Sequence, residues 1–513
     1  YCTMVFLEVD YTPLPAKIED TRTVGSQILR LRRLSPRTVT QTAPLWFLDA
    51  ELLTDYALTH FAFPAADGGG AGTTKWQRRL MRLLRTELDM ESMTLKATGF
   101  DLRHYLLTFW DIGQSKISAA ANADGIARLS PGSTRTFSRS SKAWIPDPGD
   151  GRIVQVAEDE EKLGEDGEIL EAAASNYVKN SAFKDGVASN WSAIASGTVA
   201  AETTDVLYDT DVTAQACKVS GNSGDGLQQT ATNTVADNVL FFSYDFKGDA
   251  HDWDLQESGG NWWNDSTKSW GGSRPGNSQA ASSTAYTRVT SEVITTPGAS
   301  KTIAVQFRLT GSTTEIKVGH VQIEQGRWAS SRIVTSGSTV TRSADSLKMS
   351  NNSGARVFPA GLGTLLVEVV PSWSSGNLAT GDGKVIASVE YDANNYDQFM
   401  YWPTTGVWLM KRVIATSDYY ATKTATATAG TSVKLGFRWI SDEGEHGLTN
   451  YAISVFVDGT KGTDGLPGGA PTPPGSMDMY IGKNSAATWH FDGAIRRMEI
   501  TPQALSDEEI ARF

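Results

Sequence analysis

Two cysteines in 513 residues, Cys2 and Cys217, leave no disulfide framework and no cysteine-based metal site. Histidine is also sparse: His60, His104, His251, His320, His446 and His490 fall in no HxxxH or HExxH spacing. No run of ~18 apolar residues occurs, so no helical membrane span is expected. Bases are outnumbered, 46 against 58 acids, and a net charge of −12 argues against the basic surface that nucleic acid requires. No signal peptide is legible. A chain that opens on Tyr1 rather than Met is expected to lack an upstream segment.

What the chain does have is glycine, 48 residues, and tryptophan, 15, with abundant Ser, Thr, Asn and Ala after residue 170. That mixture suits short strands and turns, and the length exceeds what one core holds. The expected fold is mainly β: two β-sandwich (jelly-roll) domains after a small α+β N-terminal domain. The expected map is 1–115 for the attachment domain and 116–172 for an extended connector. A jelly roll follows over 173–328, a Ser/Thr-rich exposed linker over 329–345, and a last sandwich over 346–513.

In the first region, Lys75–Leu88 reads as an amphipathic helix, with Trp76, Leu80, Leu83 and Leu84 on one face. Its arginines, Arg78, Arg79, Arg82 and Arg85, read as a solvated face or a dock for an acidic partner. The loop DGGGAG from Asp67 lacks the ending of a phosphate loop. Asp124-Gly125 is a turn signal. Glu158–Glu168 holds seven acids and one lysine, and reads as a solvated loop rather than a cation site.

Alternating strands are expected at Ala216–Ser220, Asn238–Lys247, Ala285–Ser291 and Lys301–Leu309. Phe242, Tyr244 and Phe246 share a face at period two. The stretch from His251 to Trp270 reads as an aromatic loop at one end of the jelly roll. Its rings, Trp253, Trp262, Trp263 and Trp270, can stack on sugars, and Asn261, Asn264 and Asp265 can bond hydroxyls. The competing reading packs these rings in the sandwich.

Val318–Asp345 begins as a strand, with Val318, His320, Gln322 and Glu324 on one face, and runs past Gly326 into a polar connector. Gln322, Ile323, Glu324, Gly326, Trp328, Ala329, Ser330, then Thr341, Arg342, Ala344 and Asp345, resemble a segment of phage tail-fibre and minor tail proteins. There, Q-L/I-E-x-G and an aromatic residue lead to a T-R-x-A-D close. In that family the segment joins a carbohydrate-binding-module-like jelly roll to a laminin-G-like, concanavalin A-type sandwich. The stretch from Gly167-Glu168-Ile169-Leu170-Glu171 to Asn190-Trp191 is similar to the pattern that opens the family's jelly roll, with Ala172 to Ala174 departing from it. The end of the chain is similar to the laminin-G-like pattern. Asp458-Gly459 suits a tight hairpin, and Ser506 with Glu509 a capping box. Ile495 and Ile500 cannot share a strict period-two face, which implies a bulge or a sheet switch between them.

The resemblance implies a virion structural protein of the tail (fibre, tip or baseplate) that attaches to host-surface glycan. Its partners would be other tail proteins and copies of itself, a trimer being favoured. It implies location in the virion, and in host cytoplasm during assembly. Some laminin-G-like domains bind Ca²⁺ at the sandwich rim. No acidic cluster marks such a site here, and Asp392, Asn394 and Asn395 are the candidates. A purely architectural tail component is one alternative, a tail-associated glycan hydrolase another. The chain has no G-x-S-x-G elbow. Asp245, Asp252, Asp254 and Glu257 lie near the tryptophans, but nothing pairs two of them across a substrate. No enzyme activity is expected.

Overall fold

The structure, a computed structural model, describes residues 38–44, 55–60, 76–89, 94–101, 108–111 and 133–513. Within the last span it omits 148–151, 206, 209–215, 233–238, 296–300, 313, 352–361, 441–451, 468–477 and 502–503. The Asp67 loop and Asp124-Gly125 therefore lie outside the described residues. The chain divides into two units, Tyr1–Thr108 with Gln114–Arg128, and Phe109–Gly113 with Leu129–Phe513. No helix among the described residues is long and apolar enough to cross a membrane.

The first unit contains an antiparallel sheet in the order Thr38–Pro44, Thr94–Asp101, Trp76–Asp89, Asp55–His60. The helix expected over Lys75–Leu88 is thus a strand of 14 residues. It is paired on both sides, Tyr56 opposite Met81 and Leu88 opposite Leu95. Two neighbouring ladders override a helical pattern, because cross-strand pairing decides what local propensity leaves open.

The second unit is built from antiparallel sheets that form two sandwiches. In the first sandwich, one sheet runs Thr198–Glu202, Ala216–Gly221, Thr314–Gln325, with Val239–Gly248 and Ser282–Thr290 continuing from it. The facing sheet runs Ser192–Ile194, Gly226–Gln229, Ile303–Leu309, His251–Glu257, Trp262–Asn264, Ser269–Gly271. Phe242, Tyr244 and Phe246 meet Trp253, Phe307 and Leu227 between the sheets. Val318 does not stay on the His320 face as simple alternation predicts. Tyr244 pairs Val321 and Phe246 pairs Val318, so Gly319 and His320 together oppose Asp245 in a bulge. The extra residue returns Val318 to the core beside Val321 and Ile323. His320, Gln322 and Glu324 are left buried on the far side.

The second sandwich packs a sheet ordered Ala452–Val457, Val433–Ile440, Leu362–Pro371, Gly493–Thr501, Gly167–Leu170 against another. That other sheet runs Ser417–Thr424, Val407–Ile414, Asn395–Trp402, Lys384–Asp392, Asp478–Ile481, Ser346–Asn351, Ser133–Ser138. Asp458 and Gly459 both have positive φ, 46° and 75°, the backbone of a tight two-residue hairpin turn. Ser506 and Glu509 form the reciprocal capping box. Glu368 pairs Arg497 while Val369 pairs Ile495, so Arg496 is the extra residue of the expected bulge.

Three expectations fail here. Residues 133–170 are not a free connector: Leu347 pairs Phe137, and Ile169 pairs Ala494. Strands from before the first sandwich complete both sheets of the second, which makes the first sandwich an insert. Nor is Glu158–Glu168 wholly solvated, since Lys162 and Glu168 are fully buried. The linker is not exposed throughout either: Ser330, Ser331, Arg332, Ile333, Thr335, Arg342 and Asp345 are buried.

The reason is a polar joint. Glu324 Oε1 accepts from the Ser330 amide at 2.9 Å, and Gln322 Oε1 accepts from the Ile333 amide at 2.8 Å. Arg332 grips Asp245 with two bonds of 2.7 and 2.6 Å. Arg342 donates to the Ala172 carbonyl, and Asp345 accepts from the Glu171 amide. The motif residues fasten the strands that enter and leave the insert. A fragment of residues 346–513 would lack two completing strands and expose open edges. It is expected to aggregate, whereas 133–513 stays soluble; a monodisperse 346–513 in gel filtration contradicts this topology.

Candidate functional site

The strand His251–Glu257 alternates, and the alternation sorts its chemistry. His251, Trp253 and Leu255 point to the core, and burial pushes the His251 imidazole down to about 4. Asp252, Asp254 and Gln256 take the outer face. Residues paired directly across strands share a face. Register therefore continues these three positions into polar rows. Asp254 lies opposite Gln306, which lies opposite Gln228. Asp252 lies opposite Arg308 on one side and Ser278 on the other. Gln256 lies opposite Trp262.

This outer face is held in place by its own bonds. Arg274 reaches Asp252 at 3.4 Å and Asp254 at 3.5 Å. The Gly276 amide donates to Asp254 Oδ1 at 3.1 Å. Burial raises the Asp254 carboxyl above the usual carboxylate range, against the pull of Arg274. Arg308 spans Gln306 Oε1 at 2.9 Å and the Gly224 carbonyl at 3.1 Å. Its guanidinium is shifted down by burial and by Arg274. The result is a strip of fixed donors and acceptors bordered by one half-buried indole, Trp262.

The expected aromatic loop is a strand followed by a hairpin, Trp262–Asn264 against Ser269–Gly271. Only part of the expected ring set reaches the surface. Trp253, 4% exposed, and Trp263, 0%, are core residues, which corrects their reading as sugar-stacking rings. Alternation forces this, since Trp263 faces opposite to Trp262. Trp270 pairs with Trp263, packs at 5.6 Å from it, and is half-buried over the core. Asp265 accepts from Trp263 Nε1 at 3.1 Å and from the Glu292 amide at 2.9 Å. Asn264 Oδ1 accepts from the Ser266 and Thr267 amides, both at 3.0 Å. These two side chains hold the hairpin, and Asn261 bonds Glu257. The polar strip is built instead with Gln228, Gln306, Arg308 and Arg274. Period two in IAVQFRL and HDWDLQE was the signal available for most of it.

The cation candidates sit in the exposed turn between Lys384–Asp392 and Asn395–Trp402. Asp392 Oδ1 accepts from the Asn394 amide at 2.8 Å, and Asn395 Nδ2 lies 2.8 and 2.9 Å from the two carboxylate oxygens. These backbone and side-chain bonds hold the Asp392 carboxyl below its ordinary range. The turn uses its own carboxylate, and among the described residues no cluster of three or more His, Cys, Asp or Glu could hold a metal. Cys217 is free and buried, and burial pushes its thiol up.

No family model and no curated protein matches the chain. Among solved structures it is similar to domain 4 of AbnA, an extracellular arabinanase of Geobacillus stearothermophilus, solved with arabinotriose. Identity there is 15%, coverage 33% of this chain and 76% of that one, and the TM-score 0.24. It is also similar to the tandem CBM22 domains of Xyn10C from Paenibacillus barcinonensis, at 11% identity over 65% and 98% of the two chains, TM-score 0.22. A third is the heptameric SAP-like pentraxin of Limulus polyphemus, at 10% identity over 30% and 69%, TM-score 0.20.

Proposed function

We propose that this chain is a non-catalytic glycan-binding protein that works as an attachment component of a phage tail. The observation that carries the glycan reading is the outer strip of the first sandwich. One half-buried indole borders rows of amides, carboxylates and guanidinium groups held in fixed geometry. A sugar ring offers an apolar face to such an indole and hydroxyls to such rows. The resemblance of Gln322–Asp345 to tail proteins supports the tail assignment, and with it other tail proteins and a homotrimer as partners. Asp252 and Asp254 argue against hydrolysis, because they share one strand face and one arginine rather than opposing each other across a cleft.

Trp262→Ala separates this reading from the architectural one. It is expected to weaken binding on a glycan array, and adsorption to host cells, by roughly tenfold, with a stability loss below about 1 kcal/mol. Trp263→Ala, by contrast, should cost roughly 3–5 kcal/mol, because its ring fills the core. Equal glycan binding by wild type and Trp262→Ala would remove the strip as a binding site. Release of reducing sugar from a bound glycan would make the protein a hydrolase.

A further inference from the structure

The second sandwich carries an outer face on which polar and aromatic side chains line up, with Ser388 buried within it and donating to the Lys483 carbonyl at 3.2 Å. Register runs Tyr480, Ser388, Gln398, Lys411 and Tyr420 in one row across five neighbouring strands. At about 4.8 Å per strand, the two terminal tyrosines lie roughly 19 Å apart. Tyr396 is on the same face, two residues from Gln398 along its strand. Tyr420 is 46% exposed, and Tyr396 and Tyr480 are half-buried.

Two features of this row point to a ligand. Gln398 is 7% exposed, and its buried Oε1 has no donor among the described residues. A buried acceptor without a partner is destabilising, so it is an unusual group to keep in a sheet face. The lysines, in turn, lie along aromatic rings. Lys411 Nζ is 5.5 and 5.8 Å from the Tyr396 and Tyr420 centroids, and Lys483 Nζ is 5.6 Å from that of Tyr480. Lys411 also pairs with Asp418 at 3.0 Å. Burial and the charge of Lys348 shift the Lys483 ammonium down.

We propose that this face is a second saccharide-binding surface, which takes a chain of several sugar rings laid across the strands from Tyr480 to Tyr420. The tyrosine rings supply stacking platforms at both ends of the row. A hydroxyl entering between Lys411 and Tyr480 donates to Gln398 Oε1 and replaces its missing partner. The lysine ammonium groups donate to other hydroxyls, or to a uronate carboxylate. A chain is favoured over a single sugar because the platforms are strand-widths apart. The site lies on a different sandwich from the Trp262 strip and does not depend on it.

The test uses the full chain on an array of neutral and uronate-containing oligosaccharides of two to six rings. Wild type is compared with Trp262→Ala, with the pair Tyr420→Ala/Tyr480→Ala, and with Gln398→Met. The expected result is a signal that survives Trp262→Ala, grows with oligosaccharide length, and falls at least about tenfold in the tyrosine pair. Gln398→Met should lose it as well without lowering the melting temperature, since an apolar isostere removes an unsatisfied acceptor. If Trp262→Ala abolishes every signal and the other variants change none, this surface is overturned and the first sandwich remains the binder. A wild-type chain that binds nothing overturns both. A Gln398→Met chain that melts lower and binds normally assigns the amide to packing and also overturns the proposal.

Discussion

Asp345→Ala is expected to cost roughly 3–5 kcal/mol, the range for stranding charge that has lost its buried partner. Asp345 is 3% exposed, with Lys162 Nζ at 2.8 Å and Arg139 Nη1 at 3.2 Å. Glu171 and Arg342 complete the cluster. Three cations then share two carboxylates with almost no water. Deleting one carboxylate leaves three cations on Glu171 alone. It also takes the acceptor from the Glu171 amide, 2.9 Å away. Burial by itself would raise the Glu171 carboxyl, but Lys162 and Arg342 hold it far below the ordinary range. A folded-state value below the unfolded one means stability present above about pH 4.3 and lost as pH falls towards the folded value. Wild type should therefore lose stability in acid below about pH 4. Urea unfolding followed by tryptophan fluorescence measures the substitution, and a loss under 1 kcal/mol would show that the cluster does not hold the joint.

The joint also shows where sequence reading stops. Gln322, Glu324, Arg342 and Asp345 were picked out as a pattern, but a pattern does not say which way its side chains turn. Ser and Thr in the connector read as solvated because such residues favour exposed turns. Here Ser330 and Ser331 are buried acceptor-seekers: the Ser331 amide and hydroxyl both donate to Glu171, at 2.6 and 2.7 Å. That partner is 160 residues away, beyond any local rule. The insertion was hidden for the same reason. Gly167–Leu170 looked like the start of a jelly roll, and only its pairing with Gly493–Thr501 assigns it to the other sandwich.

Local rules did well where chemistry is local. Asp458-Gly459 turned as its residue types require, and Ser506 capped the last helix. Tryptophan clustering pointed to this end of the sandwich, but of the expected rings only Trp262 lies beside the outer polar strip, while Trp253 and Trp263 fill the core. Trp262 and Trp263 are indistinguishable by composition and opposite by parity. The polar partners on neighbouring strands, Gln306 and Gln228, lie 44 and 34 positions away from Trp262 and become neighbours only through register.

The second large effect is expected in the core of the C-terminal sandwich. Arg412 donates to both oxygens of Asp397, each at 2.7 Å, and Tyr391 donates its hydroxyl to the same carboxylate at 2.8 Å. Both charged side chains are 0% exposed. Burial opposes charge on Arg412, yet the Asp397 carboxylate raises its pKa above the ordinary value. Asp397→Leu removes that compensation and leaves a buried guanidinium without its counter-charge, at a cost of roughly 3–5 kcal/mol. Arg412→Met should cost a similar amount, because Asp397 then keeps only Tyr391. The double change Asp397→Leu/Arg412→Met is the informative one. Two apolar side chains of similar size carry no desolvation cost, so the double variant should recover most of the loss and end near wild type or above it. The Tyr391 hydroxyl, left without its acceptor, limits the gain, and adding Tyr391→Phe should raise stability further. Urea midpoints for the two single changes, the double and the triple measure the coupling. Single losses that simply add in the double variant would mean that Asp397 and Arg412 stabilise the sandwich through separate contacts rather than through each other.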